Sequence, residues 1–227
     1  MQPDARECIR NGDTATLHGL LCADPTLVNA RADGQRTLLH VATDWPGHFP
    51  NIRETIALLV AHGADVNATF HGSHDETPLH WAASSGDVEA LEALLQQGAE
   101  IEATGGVIGG GTALADAVGF GQWSAAAKLI EGGARSTLWQ AAALGLMDRV
   151  EAEMSAEPAP GADAVTNAFW CACHGGQRTA AQYLLARGAD LTWVGHDGLT
   201  PLDAAARHGN GEIVAWLRSQ GALPGPL

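Results

Sequence analysis

The stretch that decides the fold is Asp75-Glu76-Thr77-Pro78-Leu79-His80-Trp81-Ala82-Ala83-Ser84-Ser85-Gly86-Asp87-Val88-Glu89-Ala90-Leu91-Glu92-Ala93-Leu94-Leu95-Gln96-Gln97-Gly98-Ala99. Thr77 is a helix cap, and Pro78 takes the first helical position, where a missing N–H costs nothing. Ala82 and Ala83 let a neighbouring helix come close. Gly86 ends the first helix in a conformation that other residues resist. Leu91, Leu94 and Leu95 form the apolar stripe of a second helix, which Gly98 ends. The stretch therefore reads as two short helices joined by a tight turn.

Moving outward, the same opening recurs. On the N-terminal side it is Thr37-Leu38-Leu39-His40-Val41-Ala42. There the chain inserts Pro46-Gly47-His48-Phe49-Pro50 before a helix near residues 51–62. Before that, Ile9, Leu17, Leu20 and Leu21 are spaced for one helix pair about Asn11-Gly12-Asp13. On the C-terminal side, Gly105-Gly106-Val107-Ile108-Gly109-Gly110-Gly111 leads into Thr112-Ala113-Leu114-Ala115-Asp116. Two less regular copies open at Ser136-Thr137-Leu138-Trp139 and Asn167-Ala168-Phe169-Trp170. A regular one opens at Thr200-Pro201-Leu202-Asp203.

The Thr-Pro-Leu-His opening, Gly turn and Gly-Ala close resemble the ankyrin repeat. The resemblance implies an all-α ankyrin-repeat solenoid with short hairpin fingers, about seven helix pairs including caps. One domain over residues 1–227 divides into an N-terminal cap (1–30), three finger-bearing repeats (31–134), two shortened repeats (135–190) and a C-terminal repeat (191–223).

Composition agrees with a folded core: 46% of the 227 residues are hydrophobic and 17% charged. A net charge of −14 argues against nucleic acid and anionic membrane surfaces, which need a basic face. No apolar run approaches the roughly 18 residues of a membrane span, and the N-terminus lacks a basic-then-apolar order. Cys8, Cys22, Cys171 and Cys173 make no staple-like pattern, so the reading is a cytoplasmic protein with reduced thiols.

The family resemblance also assigns a concave groove, lined by the first helices and the fingers. Its positions are the residue after each family histidine, the pair before each Gly turn, and the finger tips. They include Asp44, Trp45, His74, Glu76, Trp81, Ser84, Asp116, Phe120, Gln140 and His174, and, in the last repeat, Arg207 and His208. Trp139 and Trp170 are read at the histidine position, with Gln140 one beyond it. Aromatic residues with acids on such a face imply a partner: a protein or peptide, basic or apolar. An alternative is a small-molecule or catalytic pocket at Asp44, Asp116, Trp45 and Trp81. The 46–50 insertion and the Gly-rich finger would close it, with Asp44, Asp116, His48 and His74 as an acid–base set.

Other motifs take ordinary readings. His40 and His80 occupy the family's structural histidine. Cys171 and Cys173, two apart on a helix, point to different faces and make a poor metal pair. Cys171 and His174, three apart, share a face but find no second thiolate pair, so buried free cysteines and no metal are expected. The Gly-rich segment has no nearby Lys or Arg and lacks a Walker Lys-Ser/Thr, so it reads as a hairpin tip and no cofactor is expected.

Overall fold

The computed structural model describes residues 4–31, 34–207 and 209–225, so His208 lies outside the described residues. It contains fourteen α-helices and no β-strand among the described residues. They fall into two compact units, Met1–Ala134 and Arg135–Leu227.

The first unit holds α1 (Ala5–Asn11), α2 (Thr14–Ala23), α3 (Leu38–Ala42), α4 (Ile52–Ala61), α5 (Pro78–Ser85), α6 (Val88–Gln96), α7 (Ala113–Gly119) and α8 (Trp123–Glu131). The odd-numbered helices pack in one row, α1 on α3 on α5 on α7. The even-numbered helices pack in a second row, α2 on α4 on α6 on α8. The second unit repeats the arrangement with α9 (Leu138–Leu144), α10 (Met147–Met154), α11 (Ala162–His174), α12 (Arg178–Leu185), α13 (Pro201–Arg207) and α14 (Gly211–Ser219). Within it, α9 packs on α11 and α11 on α13.

The cause is the size and spacing of the apolar residues. Leu39, Leu79 and Leu114 on the first helices, and Ile56, Leu59, Leu91 and Leu94 on the second, are fully buried between repeats. Ala82 and Ala83 are fully buried too, since a larger side chain would hold neighbouring helices apart. In the second unit Phe169, Val150, Leu184, Ile213 and Leu217 do the same work.

Gly86 shows how tightly the repeats abut. Its φ is 73°, and a Cβ there would stand 2.4 Å from Gln122 Oε1 of the next repeat. The turn requires the left-handed conformation, and the stacking requires the missing side chain.

Short backbone turns replace regular fingers. Phe70 N–H donates to Glu76 O (2.7 Å), and Gly105 and Gly106 N–H donate to Gly110 and Gly111 O (3.0 and 2.9 Å). In the sixth pair there is no finger. The helix that the sequence suggested would open at Asn167 starts at Ala162 and runs 13 residues. Ala162 to Thr166 contain no Gly or Pro, so nothing stops helical propagation toward the N-terminus.

Candidate functional site

A cross-repeat bond first fixes the register of the site. His40 Nδ1 lies 2.8 Å from Thr37 Oγ1, and its Nε2 lies 3.1 Å from Glu76 O. A carbonyl only accepts, so Nε2 carries the proton and Nδ1 accepts from Thr37. His80 repeats the device with Thr77 (3.0 Å) and Gly111 O (3.2 Å). Burial lowers the His40 pKa to about 4, which keeps the ring neutral. Trp170 takes over the outgoing half, its Nε1–H donating to Leu199 O at 2.9 Å. Each acceptor immediately precedes the capping residue of the next repeat.

This register corrects one sequence assignment. Gln140, not Trp139, occupies the histidine slot of the fifth pair. Its Oε1 accepts from Thr137 N–H (2.8 Å) and Oγ1–H (3.0 Å), and the side chain is buried. Gln140 is a capping residue beneath the surface and presents nothing to a groove.

One position beyond His80, Trp81 is half-buried. Its ring meets His40 edge-on at 5.0 Å and Phe70 at 5.3 Å. The buried Glu76 carboxylate lines the same cleft as the Trp81 indole. Burial raises the Glu76 pKa, and the neighbouring Trp81 indole works against that rise. Asp44 at the end of the first helix is ion-paired with Arg36 at 2.7 Å. Trp45 follows it and is 81% exposed. Thr43, Asp44, Trp45, Glu76, Trp81, Ser84 and Ser85 line an open cleft of about 200 Å³.

The hydroxyls in that cleft are spoken for. Ser84 Oγ donates to Trp81 O (3.1 Å) and Ser85 Oγ to Ala82 O (3.3 Å), so neither is activated by a base. The cleft offers two indoles and two carboxylates, Asp44 already paired with Arg36. That chemistry suits recognition of a side chain.

Asp116 does not join this surface. Its side chain is fully buried, and Oδ1 accepts from Ile108 N–H at 2.9 Å. Oδ2 is buried with no hydrogen-bond partner, and Gly106 admits it, since a Cβ there would stand 2.5 Å away. Burial raises the Asp116 pKa to about 6; the Ile108 bond opposes this and the Glu76 charge adds to it. Asp116 therefore latches its own glycine finger from below. The expected grouping of Asp44 with Asp116 in one pocket is not formed.

The 46–50 insertion also goes elsewhere. His48 N–H donates to Asp87 Oδ2 at 2.5 Å, and Asp87 Oδ1 caps α6 through Ala90 N–H (3.0 Å). The insertion is thus pinned to the start of α6 instead of folding over the acids. The exposed His74 sits near enough to lower the pKa of both Glu76 and Asp116. Phe120, 47% exposed at the end of α7, does not line the cleft.

His174 lies in the second unit, buried and stacked on Trp170 at a centroid distance of 5.4 Å. Cys171 beside it is buried, and burial pushes its thiol up to about 12, which disfavours the thiolate a metal needs.

A family model described as "Ankyrin repeats (3 copies)" matches residues 6–105 and 138–225. The chain belongs to the ankyrin repeat family. Ankyrin repeats are in general protein–protein interaction modules. The unmatched interval holds the Gly-rich finger and α7, where Ala115 stands in the histidine slot and Asp116 supplies a different latch. The chain is 37% identical over 86 residues to the zebrafish (Danio rerio) Protein fem-1 homolog A. That similarity covers 34% of this chain and only 14% of the zebrafish protein.

Sequence reasoning missed the role of Arg36 as the partner of Asp44, and Phe70 as the wall behind Trp81. Arg36 precedes the capping Thr37, and a basic residue there beside an acid before the turn was an available signal. Phe70 carried none, because its loop has no regular period.

Proposed function

We propose that this ankyrin repeat protein is an intracellular, cytoplasmic binding module that holds a protein or peptide partner in a concave groove. Trp45 and Trp81 take one apolar side chain of the partner between them. Asp44 and Glu76 meet donor or basic groups beside it. Phe120 and Val107, both exposed, extend the apolar contact along the next repeat. The carrying observation is Trp45, an indole left 81% exposed at the rim of a cleft floored by Trp81. An exposed tryptophan of that kind is what a partner covers.

The cleft volume favours a partner over a small ligand. About 200 Å³ is below the ~300–1,000 Å³ of ordinary ligand pockets but takes one large side chain. The charge of −14 favours basic partners and disfavours nucleic acid and anionic membranes. Among the described residues, no helix is long and apolar enough to cross a membrane.

A displayed random-peptide library panned on the full chain tests the proposal. Selected peptides should share an aromatic or aliphatic anchor with a nearby Lys or Arg, and lose at least about tenfold in affinity on Trp45→Ala. Selected peptides that bind Trp45→Ala and Trp81→Ala as tightly as wild type would refute it.

A further inference from the structure

A second cluster lies on the other row of helices and plays no part in the cleft. His18 and Cys22 are four residues apart on α2, which places both on one exposed face. His62 caps the C-terminal end of α4, which packs on α2. His18 Nδ1 lies 3.0 Å from His62 Nε2 and 4.0 Å from Cys22 Sγ. One ligand atom from each of the three residues falls within 4.8 Å of the others.

We propose that His18, Cys22 and His62 form a site for a thiophilic transition-metal ion of the Zn²⁺ class. An ion bonded to nitrogen at about 2.0–2.1 Å and sulfur at about 2.3 Å holds tetrahedral ligands roughly 3.3–3.6 Å apart. The nitrogen pair at 3.0 Å and the nitrogen–sulfur pair at 4.0 Å bracket that range, so small side-chain rotations complete the set. Two imidazoles and a thiolate select Zn²⁺ and its late first-row neighbours over Mg²⁺ or Ca²⁺, which prefer oxygen. Position reinforces chemistry. Cys22 sits in the last turn of α2 and His62 at the end of α4, where both helix dipoles present their negative ends.

Three protein ligands leave a fourth vertex to water or to a donor from another molecule. The rings already orient one another through the His18–His62 contact, in which one nitrogen donates and the other accepts. Metal binding removes the Cys22 thiol proton to solvent. It also moves one imidazole proton to the other nitrogen of its own ring, so that both facing nitrogens offer lone pairs. One proton is released per ion bound to neutral rings. The site bridges α2 and α4, so a bound ion ties the first repeat to the second.

Co²⁺ titration of the reduced 227-residue chain is the test. One equivalent should give tetrahedral d–d absorption and a thiolate-to-metal charge-transfer band, both displaced by stoichiometric Zn²⁺. Cys22→Ser should abolish the charge-transfer band. His18→Ala and His62→Ala should each weaken Co²⁺ binding more than about tenfold. All three side chains lie at the surface or partly so, and far-UV circular dichroism checks that the variants fold. Alkylation needs no variant: Zn²⁺ should protect Cys22 from iodoacetamide in the unaltered chain. A missing charge-transfer band, a band that survives Cys22→Ser, wild-type affinity in His62→Ala, or Cys22 alkylation unaffected by Zn²⁺ would each overturn the proposal.

Discussion

Replacing Asp116 by Asn should change how the stability of the first unit depends on pH. The Asn carbonyl can still accept from Ile108 N–H, and the shape is nearly unchanged. What goes is the ionisation. Asp116 titrates at about 6 in the folded chain against an ordinary 3.8. A raised pKa stabilises the fold fully below 3.8, and that contribution is lost as pH rises through about 6. Each unit of the gap is worth ~1.36 kcal/mol, so between about pH 4 and pH 7.5 the wild type should lose about 2.5 kcal/mol relative to Asp116→Asn. Taking this difference cancels any fixed cost of the amide group. Urea unfolding of both proteins across that range measures it, and a carbon-13 titration of the Asp116 carboxyl locates the ionisation directly. A stability difference constant to within about 0.5 kcal/mol, or a carboxyl titrating near 3.8, would refute the buried-latch reasoning.

Other outcomes follow from the same contacts. Gly106→Ala should destabilise by about 1–3 kcal/mol in thermal unfolding, because its Cβ would meet Asp116 Oδ2 at 2.5 Å. His40→Ala should cost about 2–4 kcal/mol, since it opens a cavity and strands the groups on Thr37 and Glu76. His40 also carries a pH dependence opposite in sign to that of Asp116. Its folded pKa is lowered to about 4, so its contribution is full above 6.5 and is lost as pH falls toward 4; proton titration by NMR of the His40 ring checks this. Trp170→Phe should cost about 1 kcal/mol, the bond to Leu199 O, with packing largely kept.

The repeat was legible because its signals are local and redundant. Thr77, Pro78, His80 and Gly86 each fix a cap, a first turn, a cross-link or a stop, and the structure uses each in that way. The seven helix pairs followed from the same signals. Side-chain direction was less legible. Asp116 sits where Trp81 sits one repeat earlier, yet it points under a glycine finger, because Gly106 leaves room that only the folded finger reveals. Gln140 is one residue away from where its neighbour Trp139 suggests the histidine slot, although Thr137 three residues earlier marks Gln140 as the capping partner. His18, Cys22 and His62 were invisible as a group: 44 residues separate the two histidines, and only the stacking of α2 on α4 joins them.

The seven tryptophan indole N–H signals of a ¹⁵N-labelled chain offer the most direct test of where this protein binds. Titrating in a peptide selected on the wild type should move the Trp45 and Trp81 signals, since both indoles line the cleft. The Trp123 and Trp216 signals should stay in place. Shifts confined to Trp170 and Trp193 of the second unit, with Trp45 and Trp81 unmoved, would contradict the account.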